Sequence, residues 1–136
     1  MRVKLSVITD EVSQDPSRVV EFAVRHGLQG VEVRTLWNLK PHELVDRAGE
    51  LRKMIGGAGL EVSAIASPVF KCSLGSEKEY REHLEILERC VELAKALDTS
   101  VVRVFTFWRR GSLDEYLDQI LEKFMAAVDV AASEGV

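Results

Sequence analysis

The chain has 136 residues, of which 46% are hydrophobic and 29% charged, the make-up of a globular protein with one core. Its net charge of -4 is spread along the sequence with the two signs interleaved, which argues against a nucleic-acid binder that needs a continuous basic surface. No apolar run approaches the roughly 18 residues of a membrane span, and "MRVKLSVITDEV" reaches acidic residues too early for a secretory leader. Cys72 and Cys90 lack a CxxC or Cys/His ligand spacing. They read as reduced thiols, and the expected compartment is the cytoplasm.

Taken in chain order, short β-branched runs alternate with longer stretches of helical period. The first strand is expected over 3–8. Asp15-Pro16 then supplies an N-cap and a proline at the first helical position, and Gly27 closes that helix in a left-handed turn. A second strand follows over 30–35. The next helix is expected from about Pro41, with Leu44, Ala48, Leu51 and Ile55 forming one buried stripe, and Gly56, Gly57 and Gly59 ending it.

The third strand is expected over 60–66. Its helix opens with Ser76-x-x-Glu79, read as a capping box, and carries Tyr80, Leu84, Leu87, Val91 and Ala94 beside a second stripe at Ile86, Cys90, Leu93 and Leu97. The fourth strand is expected over 100–105. A second box, Ser112-x-x-Glu115, opens the last helix, which runs through Leu117, Ile120, Phe124 and Val128 toward Gly135. Gly135-Val136 repeats the phrase that precedes earlier strands, so the chain is expected to stop at the start of a fifth.

This β-α repeat, with a step of roughly 35 residues, suits right-handed βαβ units and a parallel sheet. Strand alternation separates an open doubly wound sheet from a barrel. Val3, Leu5 and Val7, Val31 and Val33, Val62, Ala64 and Ala66, and Val102 and Val104 form the face that helices cover. The other face carries Lys4, Ser6, Glu32, Arg34, Glu61, Ser63, Ile65, Ser67, Arg103 and Phe105 and is largely polar. A doubly wound sheet is apolar on both faces, whereas a barrel turns one face to its interior and mouth.

The expected class is therefore α/β, the first four βα units of a (β/α)8 TIM barrel with parallel strands and outer helices, forming one partial domain over 1–136. Glu32, Arg34 and Arg103 on the inner face read either as an internal ion-pair network or as rim groups that hold an anionic or polyhydroxyl substrate. "TDEVSQDP" after the first strand contains no glycine, which excludes the phosphate loops of dinucleotide and P-loop folds.

The stretches "ITDEVSQDP", "GVEVRTLW", "VSAIASPVFKC" and "VVRVFTFWRR" resemble the sugar phosphate isomerase/epimerase group of xylose-isomerase-like TIM barrels. The resemblance covers the whole chain but only four of that group's eight βα units. It implies a sugar or sugar phosphate as the small-molecule partner and a divalent metal (Mn, Mg, Co or Zn) that polarises substrate oxygens while a carboxylate moves a proton. It also implies that the metal ligands come from the ends of the fifth to eighth strands, so no metal ligand is carried over to a residue of this chain.

Carried over instead is one side of the pocket. Asp10 and Glu11 follow the first strand, Arg34 and Trp37 the second, Ser67 and Lys71 the third, and Phe107, Trp108 and Arg109 the fourth. By the barrel rule these would face substrate, Arg and Lys binding oxyanions and the aromatic rings stacking on sugar C–H surfaces. Trp37 and Trp108 read equally well as hydrophobic plugs. The expected activity is that of half of a sugar isomerase or epimerase, inactive alone. The alternatives are a non-catalytic half-barrel that forms homo-oligomers through its open edges and an apurinic-endonuclease-like barrel, which the acidic charge disfavours. His26 and His83 read as structural, and His42 as a surface residue.

Overall fold

A computed structural model describes residues 3–136. Four parallel strands form one sheet in the order β1-β2-β3-β4: β1 Ser6–Ile8, β2 Gly30–Val33, β3 Glu61–Ala66 and β4 Val102–Arg103. They are joined by α2 Pro16–Arg25, α3 Ala48–Gly57 and α4 Glu77–Ala96, and α5 Leu113–Ser133 follows β4. A single helical turn, α1 Thr9–Val12, continues directly from β1. Sequential order of parallel neighbours with a helix in each crossover is the barrel pattern. The expected first four βα units of a TIM barrel are therefore present.

Local chemistry explains most of the boundaries. The Asp15 carboxylate accepts from the Ser17 N–H at 2.9 Å, Pro16 begins α2, and Gly27 takes φ +66° past its end. The Ser76 hydroxyl accepts from the Glu79 N–H at 3.2 Å, but the Glu79 carboxylate reaches the Ser73 N–H rather than completing the box. Ser112 makes no side-chain cap bond, so the second expected box does not form. The helix expected from Pro41 opens as two 3-10 turns, Pro41–Glu43 and Val45–Arg47, before α3 begins. Leu44, Ala48, Leu51 and Ile55 are all buried as the stripe requires.

The strands are shorter than their β-branched runs, because a residue extends the ladder only where a neighbour pairs with it. Val3 and Leu5 lie before the first pairing at Ser6↔Gly30, and Val104 and Phe105 beyond the last at Ala66↔Arg103. A larger correction concerns β3. Val31 pairs with Val62 but Glu32 pairs with Ala64, so Ser63 is an extra residue in a β-bulge. The bulge reverses the alternation beyond it. Ile65 aligns with Val33 and Val102 on the helix side and is fully buried there, while Ala64 and Ala66 align with Glu32 and Arg103 on the inner face.

The core has two parts. Val19, Ala23, Val31, Val33, Leu51, Ile55, Ile65 and Leu93 fill the layer between the sheet and α2 to α4. Val69, Phe70, Cys72, Leu87, Phe107 and Ala127 form a second cluster between α4, α5 and the loops that follow β3 and β4. Each such Val, Leu, Ile or Phe contributes about 1.5–3 kcal/mol from burial. Both cysteines are buried and unpaired. Among the described residues, no helix is long and apolar enough to cross a membrane.

Candidate functional site

The C-terminal ends of the strands carry two side-chain clusters. The first joins the ends of β1 and β2. Arg34 Nε donates to Asp10 Oδ1 at 2.7 Å and its Nη2 to Glu11 Oε1 at 2.7 Å, while Thr35 Oγ1 donates to Asp10 Oδ2 at 2.9 Å. Hydrogen bonds to Asp10, then Glu11, raise the Arg34 pKa. With two carboxylates on one guanidinium, this corner is net acidic, and Arg34 is engaged by protein groups.

Thr9, buried at 1% exposure, ties the cluster to the backbone. Its hydroxyl donates to the Thr35 carbonyl at 3.1 Å and accepts from the Arg34 N–H at 3.0 Å. Gln14 extends the network to Thr35 Oγ1 and, through its side-chain oxygen, to the Asn38 N–H. Trp37 hangs from the Gln14 carbonyl at 2.7 Å with Arg47 stacked 3.3 Å from its ring centroid, so one ring face is covered. Trp37 and Asn38 both take positive φ, which turns the chain sharply after β2.

The second cluster follows β3 and β4. Beyond the strands the two loops remain laced together: Phe105 N–H donates to the Val69 carbonyl, Phe107 N–H to that of Phe70 and Trp108 N–H to that of Cys72, at 2.8, 2.9 and 2.8 Å. Phe107 is buried and stacks on Phe70 with centroids 4.6 Å apart. The Phe70 N–H donates to His83 Nδ1 at 2.8 Å, so α4 anchors this loop from behind. Burial lowers the His83 pKa, which keeps that nitrogen an acceptor.

Trp108, by contrast, is 53% exposed. Lys71 Nζ lies 5.9 Å from its ring centroid and 5.6 Å from that of Phe105, and Arg103 stacks over Phe105 at 4.5 Å. Arg109 Nε bonds back to the Gly111 carbonyl at 2.9 Å. Phe107, Trp108 and Arg109 share the wall of a largely apolar cavity of about 290 Å³ with Leu74, Leu113 and Tyr116. A volume near 300 Å³ is at the lower end of small-molecule pockets.

Of the nine sequence-expected site residues, Asp10, Glu11 and Arg34 thus meet in one cluster, with Trp37 bound to its edge. Lys71, Phe107, Trp108 and Arg109 gather in the other. Ser67 is 1% exposed, and its hydroxyl donates to the Arg103 carbonyl at 2.6 Å and accepts from the Val69 N–H at 3.3 Å. It joins β3 to β4 below the mouth. The expected network among Glu32, Arg34 and Arg103 does not form: Arg34 turns to Asp10 and Glu11, and among the described residues neither Glu32 nor Arg103 enters an ion pair. Ala64 and Ala66, brought inward by the bulge, separate the two.

His42 is also corrected. The 3-10 turn packs it against α4, where Arg89 Nε donates to its carbonyl at 3.4 Å and its Nδ1 is sealed from solvent without a partner. Thr9, Gln14 and Thr35 were missed. Nothing in a single Thr-Asp-Glu stretch shows that its threonine crosses to the next strand.

A parallel half-barrel with a polar mouth defines the class of protein. The chain belongs to the xylose isomerase-like TIM barrel family, whose profile matches residues 20–136. It superposes on the crystal structure of a 3-keto-D-glucoside 4-epimerase from E. coli with TM-score 0.74 and 17% identity, over 99% of this chain and 54% of that one. It also superposes on a D-allulose 3-epimerase from Methylomonas sp. with TM-score 0.73 and 14% identity, over 99% of this chain and 50% of that one. The complex of that epimerase with D-allulose matches with TM-score 0.74, over 49% of its chain. At these identities the likeness is one of fold, and this chain spans about half the length of the solved structures it matches. No curated protein matches its sequence.

Divalent-metal chemistry, implied by the resemblance, finds no suited donor set here. Among the described residues no three His, Cys, Asp or Glu side chains converge as a metal site, and the mouth carboxylates of Asp10 and Glu11 are engaged by Arg34.

Proposed function

We propose that this chain forms one wall of the substrate pocket of a sugar isomerase or epimerase and binds sugar without turning it over alone. The observation that carries the reading is the exposed Trp108 ring, held at the mouth by the loop ladder and flanked by Lys71 and Arg109, in a chain of this family. An aromatic face beside donors suits a polyol, whose C–H surface stacks while its hydroxyls accept hydrogen bonds. Lys71 and Arg103 add positive charge that suits a phosphate or carboxylate on the same substrate. On the opposite side Glu11, 63% exposed, offers acceptor oxygens to sugar hydroxyls while Arg34 holds it in place.

The roles divide accordingly. Trp108, Lys71 and Arg109 contact substrate, Asp10 and Arg34 orient Glu11, and Trp37, Ser67 and Phe107 hold the loops that present them. None of these residues is assigned the proton transfer, and no step through a metal is derived. The 1–136 unit acts as a partial domain, and its place of action is the cytoplasm.

The test uses Trp37→Phe protein, in which Trp108 is the sole indole. Fluorescence titration with ketohexoses and their phosphates should give saturable binding that Lys71→Ala weakens. An assay of the same sugars with Mn, Mg, Co or Zn should give no epimerisation. Failure to bind any sugar would refute the sugar reading, and appreciable turnover would refute the half-site reading.

A further inference from the structure

The loops after β3 and β4 share an unusual backbone reversal. The tight turn from Pro68 to Lys71 closes with the Lys71 N–H on the Pro68 carbonyl at 3.0 Å, and its third residue, Phe70, has φ +60°. In the neighbouring loop Phe107 has φ +69°. Turns of positive φ ordinarily take glycine or asparagine at that position, and a bulky side chain there is strained unless its surroundings fix it. An exposed residue follows each of these phenylalanines, Lys71 in one loop and Trp108 in the other. Lys71 Nζ lies 5.9 Å from the Trp108 ring centroid. Reversal at two left-handed phenylalanines is thus what brings this pair together.

The strained residues brace one another. Phe107 N–H donates to the Phe70 carbonyl at 2.9 Å, the two rings stack, and Tyr80 and Phe124 flank the Phe70 ring with centroids 5.8 and 5.3 Å away. Phe70 has no exposed surface, so its own N–H needs a protein acceptor. That acceptor is His83 Nδ1 on α4, at 2.8 Å. The bond exists only while Nδ1 carries no proton, and an unpaired N–H here costs more than the bond is worth. Facing the half-buried ring are Glu79 and Glu82 on its own helix, His42 on the 3-10 turn Pro41–Glu43, and the Pro68 carbonyl. Lys71 lies against Phe105 and Trp108 instead. Burial favours the neutral ring and outweighs Glu79, Glu82 and the Pro68 carbonyl, which favour the charged one. A proton on Nδ1 strands the Phe70 N–H and gives the ring the Pro68 carbonyl as its partner.

We infer that His83 is the positioning residue for Lys71 and Trp108: its unprotonated Nδ1 holds Phe70 in the left-handed turn, and proton uptake there releases both side chains. The imidazole touches no ligand and acts through the Phe70 backbone. Its consequence for binding, that affinity falls with acidity, rests on the proposal that this pair binds sugar.

The test uses Trp37→Phe protein, with Trp108 as sole indole, from about pH 7.5 to about pH 5, and circular dichroism to confirm folding at each step. Without ligand, acrylamide quenching of Trp108 should rise in one titration with its midpoint below 6.5. His83→Asn places a side-chain oxygen near the position of Nδ1 and accepts throughout this range, so it should keep the parent's neutral-pH quenching and abolish the rise. His83→Leu should quench like the acid form at every pH. His42→Leu should retain the titration, which assigns it to His83. Affinity for D-fructose, a neutral probe, should fall about fivefold across the range in the parent and less than about twofold in His83→Asn. A flat quenching profile in the folded parent overturns the inference, as does a titration that survives His83→Asn or vanishes with His42→Leu. Fructose affinity that stays level while quenching titrates also overturns it. A quenching titration abolished by His83→Asn, with no fructose bound at any pH, supports the positioning role and refutes the sugar reading instead.

Discussion

Thr9→Val removes one hydroxyl and keeps the shape of a side chain that is 1% exposed. In the parent, that oxygen donates to the Thr35 carbonyl at 3.1 Å and accepts from the Arg34 N–H at 3.0 Å. The variant loses two hydrogen bonds, each with a net worth of about 1 kcal/mol, and leaves two backbone groups short of water, at about 1–3 kcal/mol each if neither finds a new partner. Partial relaxation sets the expected loss at about 2–4 kcal/mol. Thr9→Ser keeps both bonds and loses a methyl, for about 1 kcal/mol. Urea unfolding followed by circular dichroism measures both. With a slope near ~1.5 kcal/mol/M, a loss of ~3 kcal/mol moves the midpoint by about 2 M. A loss below about 0.5 kcal/mol for Thr9→Val, or a larger loss for Thr9→Ser, would refute the claim that this hydroxyl joins the ends of β1 and β2.

Two glycine substitutions should act in opposite directions. A Cβ on Gly30 would lie 2.7 Å from the Glu61 carbonyl oxygen, a backbone atom of the paired strand, so Gly30→Ala should destabilise by about 1–3 kcal/mol. Gly56, within α3, has nothing within 4 Å of its Cβ position, and Gly56→Ala should stabilise by about 0.5–1 kcal/mol. The same urea titration reads both, and equal effects would contradict the β2-β3 register. Burial lowers the pKa of His42 and His83 below the ordinary 6.5, so the unfolded chain takes up their protons first as pH falls. Stability should be level above about pH 7 and decline below 6.5 toward the folded-state values. Unfolding midpoints across that range should show the decline, and His83→Gln should flatten it. An unchanged acid slope would show that the Phe70 loop does not depend on the neutral ring.

Much of the scaffold was legible because its signals are local. Asp15-Pro16 and Gly27 bound α2 through chemistry within a few residues, and Ser76 starts α4 in the same way. The stripe Leu44-Ala48-Leu51-Ile55 is a property of helical spacing, and it survives even though its first turns are 3-10. Strand-helix alternation with one polar strand face was enough to distinguish a barrel from a sheet covered on both sides. The second expected cap failed for the converse reason: Ser112-x-x-Glu115 fits a box in sequence, but a hydroxyl caps only when the preceding loop aims it at the helix.

The site was legible as a set of strand ends but not as an arrangement. Sequence order placed Asp10, Arg34, Lys71 and Trp108 near one mouth, since successive parallel strands bring their C-terminal ends together. It could not show that Arg34 would be taken by Asp10 and Glu11 rather than by Glu32, nor that Ser67 would be buried against the β4 backbone while Trp108 stayed exposed. These outcomes hang on a single extra residue, Ser63, and on hydrogen bonds between segments far apart in sequence, such as Arg34 to Asp10, 24 residues away. Periodicity by itself determined the class of fold, because burying one face of each element depends on spacing along the chain. Only the tertiary structure decided which side chains are free to meet a ligand, because pairing between strands depends on distance in space, which local pattern does not encode.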